Sequence, residues 1–156
     1  MPDKPPLHKQ ETEYSCAPAC LKMVLESFGA LHTERELREL CDCTYDSVFL
    51  IGGADPHPFK VKAAAQTLGF VNTKIANPTF DELRSELERG LYPITYVRAQ
   101  LVTDGPLQKH AVVIVEIREG TVEIRDPWRW DKSFLSIDEF LAEWESARRV
   151  TILVEK

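Results

Sequence analysis

A cysteine at position 16, a glutamine six residues before it, a histidine at 110 and an aspartate at 126 are the residues of this chain that could perform covalent chemistry together. A thiol is a weak nucleophile until it ionises, and a helix N-terminus or a neighbouring imidazolium favours the thiolate. Cys16 stands where a helix is expected to begin. Gln10 could donate a side-chain N–H to a developing oxyanion, with the Cys16 backbone N–H as second donor; such donors are each worth roughly 3 kcal/mol. His110 would serve as base, with Asp126 accepting from its Nδ1–H and leaving Nε2 for Cys16. Taken singly, each residue has a plainer role. Cys16 could be a core thiol, Gln10 an exposed amide, His110 a structural imidazole and Asp126 the cap of an Asp-Pro turn. The order of the four along the chain is what argues for an acyl-transfer site.

These residues need elements to hold them. Cys20, Met23, Val24 and Phe28 follow Cys16 at helical spacing, with Ser15 able to cap, Pro18 tolerated in the first turn and Gly29 suited to the stop. Capping-box patterns at Thr33 with Glu36, Thr79 with Glu82 and Ser136 with Glu139 predict three more helices, and the spacing over 59–68 predicts another. Strand patterns fall at 71–75, 93–99, 111–117, 121–126 and 149–154, with Glu119-Gly120 as a hairpin turn. That turn would bring His110 and Asp126 to the same open end as close cross-strand neighbours. His8, His32 and His57 read as surface residues. Trp128 and Trp130 follow Asp126; Trp128 is a candidate substrate contact. Asp104-Gly105-Pro106 could form a lid before His110, and Gly52-Gly53 reads as a turn. Helices in the first half and antiparallel strands in the second make an α+β class, with two layers meeting at a cleft.

Composition restricts the partners. The chain has 156 residues, 44% hydrophobic and 28% charged, consistent with one domain over 1–156 whose first nine residues are extended. A formal net charge of −6 argues against broad binding to nucleic acid or anionic membrane. No run approaches a membrane span and no secretion signal opens the chain, so a cytoplasmic protein without membrane insertion is expected. The four cysteines, Cys16, Cys20, Cys41 and Cys43, have spacings unlike zinc knuckles. Cys20 and Cys41 read as core residues, and neither metal nor cofactor is expected.

The segment from Gln10 to Leu25, QETEYSCAPACLKMVL, resembles the first motif of the bacteriocin-processing, papain-like cysteine peptidases. His110-Ala111-Val112-Val113 and Asp126-Pro127 resemble the second and third. Leu83–Pro93, with its Glu-x-Gly-x-x-Pro end, resembles the stretch before the histidine strand. The likeness spans about residues 10–130. It implies a papain-like fold, with a helical N-terminal half packed on a C-terminal antiparallel sheet and the active site in the cleft between them. It also implies Cys16 as nucleophile, His110 as general base, Asp126 as orienting acid and Gln10 as oxyanion donor. Family members often cut a leader peptide after a double glycine as part of an export transporter. This chain has no membrane span or nucleotide-binding domain, so a stand-alone peptidase acting on a peptide or protein is expected. Ala17 stands where many members have glycine.

Two other functions share these residues. The acyl-enzyme could pass to an amine or thiol, as in a transglutaminase-like or peptide-ligating enzyme. A domain of the same fold could also bind peptides without cutting them.

Overall fold

In the computed structural model, residues 3–43, 57–99, 108–129 and 133–156 are described. Gly52-Gly53, Asp104-Gly105-Pro106 and Trp130 lie outside them. The helices are α1 (Cys16–Ser27), α2 (Glu34–Leu40), α3 (Pro58–Thr67), α4 (Phe80–Glu88) and α5 (Ile137–Ser146). The strands are β1 (Lys74–Ala76), β2 (Ile94–Ala99), β3 (Gln108–Arg118), β4 (Thr121–Arg125), β5 (Phe134–Ser136) and β6 (Thr151–Leu153). They form one sheet in the order β1-β6-β2-β3-β4-β5, every neighbouring pair antiparallel. The α+β architecture is therefore the expected one.

Its layering is richer than two layers. Leu21, Val24 and Leu25 of α1, Leu37 of α2 and Val61 of α3 pack with Tyr96, Ala111, Val113 and Ile152 of the sheet. Leu83 of α4 and Phe140 and Trp144 of α5 form a second core with Val97, Val112, Ile114 and Ile124. The alternation along β3 assigns odd residues to the first core and even residues to the second, as the two-residue period of a strand requires. Both faces of the sheet are thus covered, which explains why β3 reads as an unbroken apolar run. The indole of Trp144 keeps its polar edge satisfied by donating to Thr151 Oγ1 at 3.2 Å.

The caps follow the sequence at three helices. Thr33, Thr79 and Ser136 each accept from the backbone N–H three residues on, and Glu82 completes the box at Thr79. Ser15 differs: it occupies the N-cap position of α1 but makes no side-chain cap bond. Its hydroxyl is drawn away to Glu34 Oε2 at 3.1 Å.

The β3–β4 hairpin turns at Glu119-Gly120, with Arg118 opposite Thr121. Gly120 has φ 77°, a left-handed conformation that a side chain resists. The register differs from the expected one. Ile114 faces Ile124 but Glu116 faces Glu123, so Val115 is an extra residue on β3. The bulge reverses the alternation, and Ile117 packs on the second core. Val113 already pairs with Arg125. Extending that ladder sets Val112 opposite Asp126, which makes His110 and Asp126 diagonal neighbours. Diagonal pairs lie within reach of a side chain as long as histidine.

Residues 3–10 have no regular secondary structure and are tied to the hairpin. Lys4 Nζ reaches Glu116 at 2.6 Å and Glu123 at 3.3 Å. Arg125 Nε donates to the Pro5 carbonyl at 3.0 Å, and the Gln10 backbone N–H to the Pro127 carbonyl at 2.9 Å.

Candidate active site

Cys16 is the first residue of α1, at a helix end whose N–H groups receive no side-chain cap. Those free donors form a partial positive charge beside the thiol. Its residue is 8% exposed, whereas Cys20, one turn on, is fully buried. Burial pushes the Cys20 thiol well up, and negative charge on Cys16 and Asp126 adds to this. None of the four cysteines forms a disulfide. Ala17, next to Cys16, is fully buried in the first core. Its methyl group is packing material there.

His110 is fully buried at the start of β3, paired with Val97 of β2. Its Nε2 meets Asp126 Oδ1 at 2.7 Å. The nitrogen engaged by the carboxylate is therefore Nε2, the reverse of the expected tautomer. Nδ1 is buried with no hydrogen bond closed on it. Burial alone would lower the imidazole pKa. The Asp126 hydrogen bond and the Cys16 thiol outweigh it and raise the ring to about 9. Cys16 and His110 are thus close enough to interact.

Asp126 is nearly inaccessible. Burial alone would raise its pKa, but His110 and the Arg129 and Trp128 backbone N–H groups hold it at about 2. Oδ1 accepts from Trp128 N–H at 2.9 Å and Arg129 N–H at 3.0 Å; Oδ2 takes Arg129 Nε at 3.3 Å. Asp126 therefore caps its turn and holds His110 at once. Pro127, lacking an N–H, ends the ladder so that this turn can form.

Gln10 is 8% exposed. Its Nε2 donates to the Thr12 carbonyl at 2.7 Å, which leaves one N–H unspent, and Oε1 has no partner. Trp128, partly buried, joins Gln10, Lys9, Glu11, Thr12, Glu13 and Pro127 around a groove of about 480 Å³.

Two contributors were not foreseen. Arg129 braces Asp126 from the solvent side. Glu34 is completely buried and accepts from the Glu11 N–H (3.0 Å), the Ser15 hydroxyl (3.1 Å) and Arg38 Nη1 (2.7 Å). His8, read as a surface residue, is partly buried and meets Glu34 Oε1 at 3.1 Å. The four-residue spacing of Glu34 and Arg38 was the available clue. His32 and His57 serve local ends, beside Glu36 and at the start of α3.

A model of the Peptidase C39 family matches residues 4–156. The chain is 27% identical over 135 residues to the lactococcin-G-processing and transport ATP-binding protein LagD of Lactococcus lactis subsp. lactis. That match covers 86% of this chain and 17% of that protein. The fold is similar to the peptidase domain of Streptococcus ComA, described as a bi-functional ABC transporter involved in a quorum-sensing pathway. That comparison has TM-score 0.73 and 22% identity, over 99% of this chain and 100% of that one. It is also similar to a double glycine motif protease from an AMS/PCAT transporter in complex with its leader peptide. There the TM-score is 0.59 and the identity 19%, over 98% and 91% of the two chains. Among the described residues no helix is long and apolar enough to cross a membrane.

Proposed function

The chain belongs to the Peptidase C39 family of cysteine peptidases, and from that premise we propose that it hydrolyses a peptide bond through an acyl-enzyme on Cys16. The observation that carries this reading is the buried His110, bonded through Nε2 to Asp126 at 2.7 Å while Nδ1 is unbonded and the Cys16 thiol acts on the ring. In this reading the Cys16 thiol gives its proton to His110 Nδ1, its sulfur attacks the carbonyl carbon, and the carbonyl electrons move to oxygen. The spare Gln10 N–H and the Cys16 backbone N–H stabilise that oxygen. Collapse expels the amine, which takes the proton from His110. A water that gives its proton to His110 then attacks the thioester, releasing the acid and the free thiol. Asp126 holds the ring so that Nδ1 remains the reacting nitrogen.

The substrate we propose is a peptide of the leader type. Support comes from the bacteriocin-processing and leader-peptide relatives and from the open groove beside Gln10 and Trp128.

The experiment is the rate of Cys16 alkylation by iodoacetamide against pH, read by mass spectrometry in wild type and His110→Ala. At pH 6–7 the wild type is expected to react at least about tenfold faster. The advantage fades above pH 9, where His110 loses its proton. Equal rates in the two proteins would overturn the reading. Cleavage of a synthetic Gly-Gly leader peptide, lost in Cys16→Ala, tests the substrate class.

A further inference from the structure

Glu34 is a carboxylate with no exposed surface, at the first position of α2, and the chemistry just described does not use it. Burying a charge is costly unless its oxygens are matched by donors. Here the donors come chiefly from one stretch of chain. His8 Nε2 lies 3.1 Å from Oε1, the Glu11 N–H donates to both oxygens at 3.0 and 3.2 Å, and the Ser15 hydroxyl donates to Oε2 at 3.1 Å. Arg38, on the next turn of α2, supplies the countercharge at 2.7 Å. Residues 8, 11 and 15 bracket Gln10 and run up to Cys16. The Thr12 N–H and hydroxyl also converge on Ser15 Oγ at 3.2 and 2.7 Å, and Gln10 Nε2 is fixed on the Thr12 carbonyl. The Ser15 hydroxyl makes no cap bond on α1: it donates to Glu34 while its lone pairs take the Thr12 N–H and hydroxyl.

We propose that Glu34 is a positioning residue of the oxyanion site. It holds the 8–15 arm in the shape that presents Gln10. The proposal rests on the cysteine-peptidase reading and adds to it a residue that touches no reacting atom.

The test compares two probes on wild type, Glu34→Gln and Ser15→Ala. Iodoacetamide alkylation needs the thiolate but no oxyanion donors. A peptidyl aldehyde, acetyl-glycyl-glycinal, adds to Cys16 by forming a C–S bond as the carbonyl electrons move to oxygen, and its affinity depends on those donors. Glu34→Gln keeps the shape but loses the charge. It is expected to bind the aldehyde about 10- to 100-fold more weakly, while alkylation at pH 7 stays within about twofold and the thermal transition stays cooperative. Ser15→Ala, which removes one of the arm's ties to Glu34 while His8 and the Glu11 N–H remain, should show the same split, smaller in size, if Glu34→Gln does not fold. Aldehyde affinity equal to wild type in a folded variant, or a parallel loss with both probes, overturns the proposal. A wild type that alkylates in a His110-dependent way yet binds no aldehyde also overturns it, while leaving the parent reading intact. Loss of His110 dependence in the wild type sinks the parent reading itself.

Discussion

At the scale of single residues, the decisive fact is which nitrogen of His110 meets which oxygen. Asp126 binds Nε2, so in the proposed mechanism Nδ1 is the nitrogen that exchanges protons. Asn at 126 could still accept that bond but would bring no charge. Asp126→Asn is therefore expected to lower, by roughly 1–3 units, the pH at which the His110-dependent advantage in Cys16 alkylation fades, the usual effect of one opposite charge. An unmoved pH would show that Asp126 does not sustain the imidazolium. A second expectation concerns selectivity: iodoacetamide should label Cys16 well before Cys20 or Cys41, both fully buried, as peptide mapping would read. The approach of His110 to Asp126 was legible because a hairpin at Glu119-Gly120 must bring the two to the same end. The tautomer was not legible, since it depends on a register offset of two residues. Glu34 and Arg129 were hidden because an acidic first turn and a surface arginine are ordinary features of any helix or loop.

Among the elements, the hairpin that carries His110 is the most instructive. Its turn was placed correctly from Glu119-Gly120, yet the pairing beyond it was not: with Arg118 opposite Thr121 an unbroken ladder would set His110 opposite 129, and the bulge at Val115 brings it only to 128. Gly120 has open space around a would-be Cβ, so only its φ of 77° opposes a side chain. Gly120→Ala is expected to lower stability by about 1 kcal/mol, measured by urea unfolding. The alkylation rate of Cys16 should be unchanged, since the turn is at the far end of β3 from His110. The helices with Ser or Thr caps were readable almost to the residue, because capping is a local matter between residues three apart. β5, three residues long with alternating exposure, and β1, displaced from the expected 71–75 to 74–76, were not. Strands that short owe their existence to their partners.

For the whole molecule, the buried pair links the site to stability. His110 ordinarily titrates near 6.5 and is raised to about 9. Its contribution is therefore complete below pH 6.5 and disappears as pH rises through 9. Asp126, lowered from 3.8 to about 2, contributes above pH 3.8 and ceases to as pH falls through 2. A plateau between about pH 4 and 6.5 results. Urea unfolding at pH 6 and 9.5 should show a loss of about 3 kcal/mol in wild type, and clearly less in His110→Gln, which cannot titrate. An equal loss in both would place the alkaline instability elsewhere. The α+β class was legible from the halves of the chain, but the second helical layer was not. Nothing in the pattern of α4 or α5 says which side of a sheet it will cover. The strand order has a further consequence in time. β6, built from residues 151–153, is inserted between β1 and β2, and Gln10 is held by Pro127. Cys16 is synthesised before residues 151–153, the strand that joins β1 to the rest of the sheet. A nascent chain that has reached only Cys16 therefore lacks the Pro127 carbonyl that holds Gln10 and the His110–Asp126 pair, and the proposed hydrolysis must wait until those residues and the sheet around them have been made.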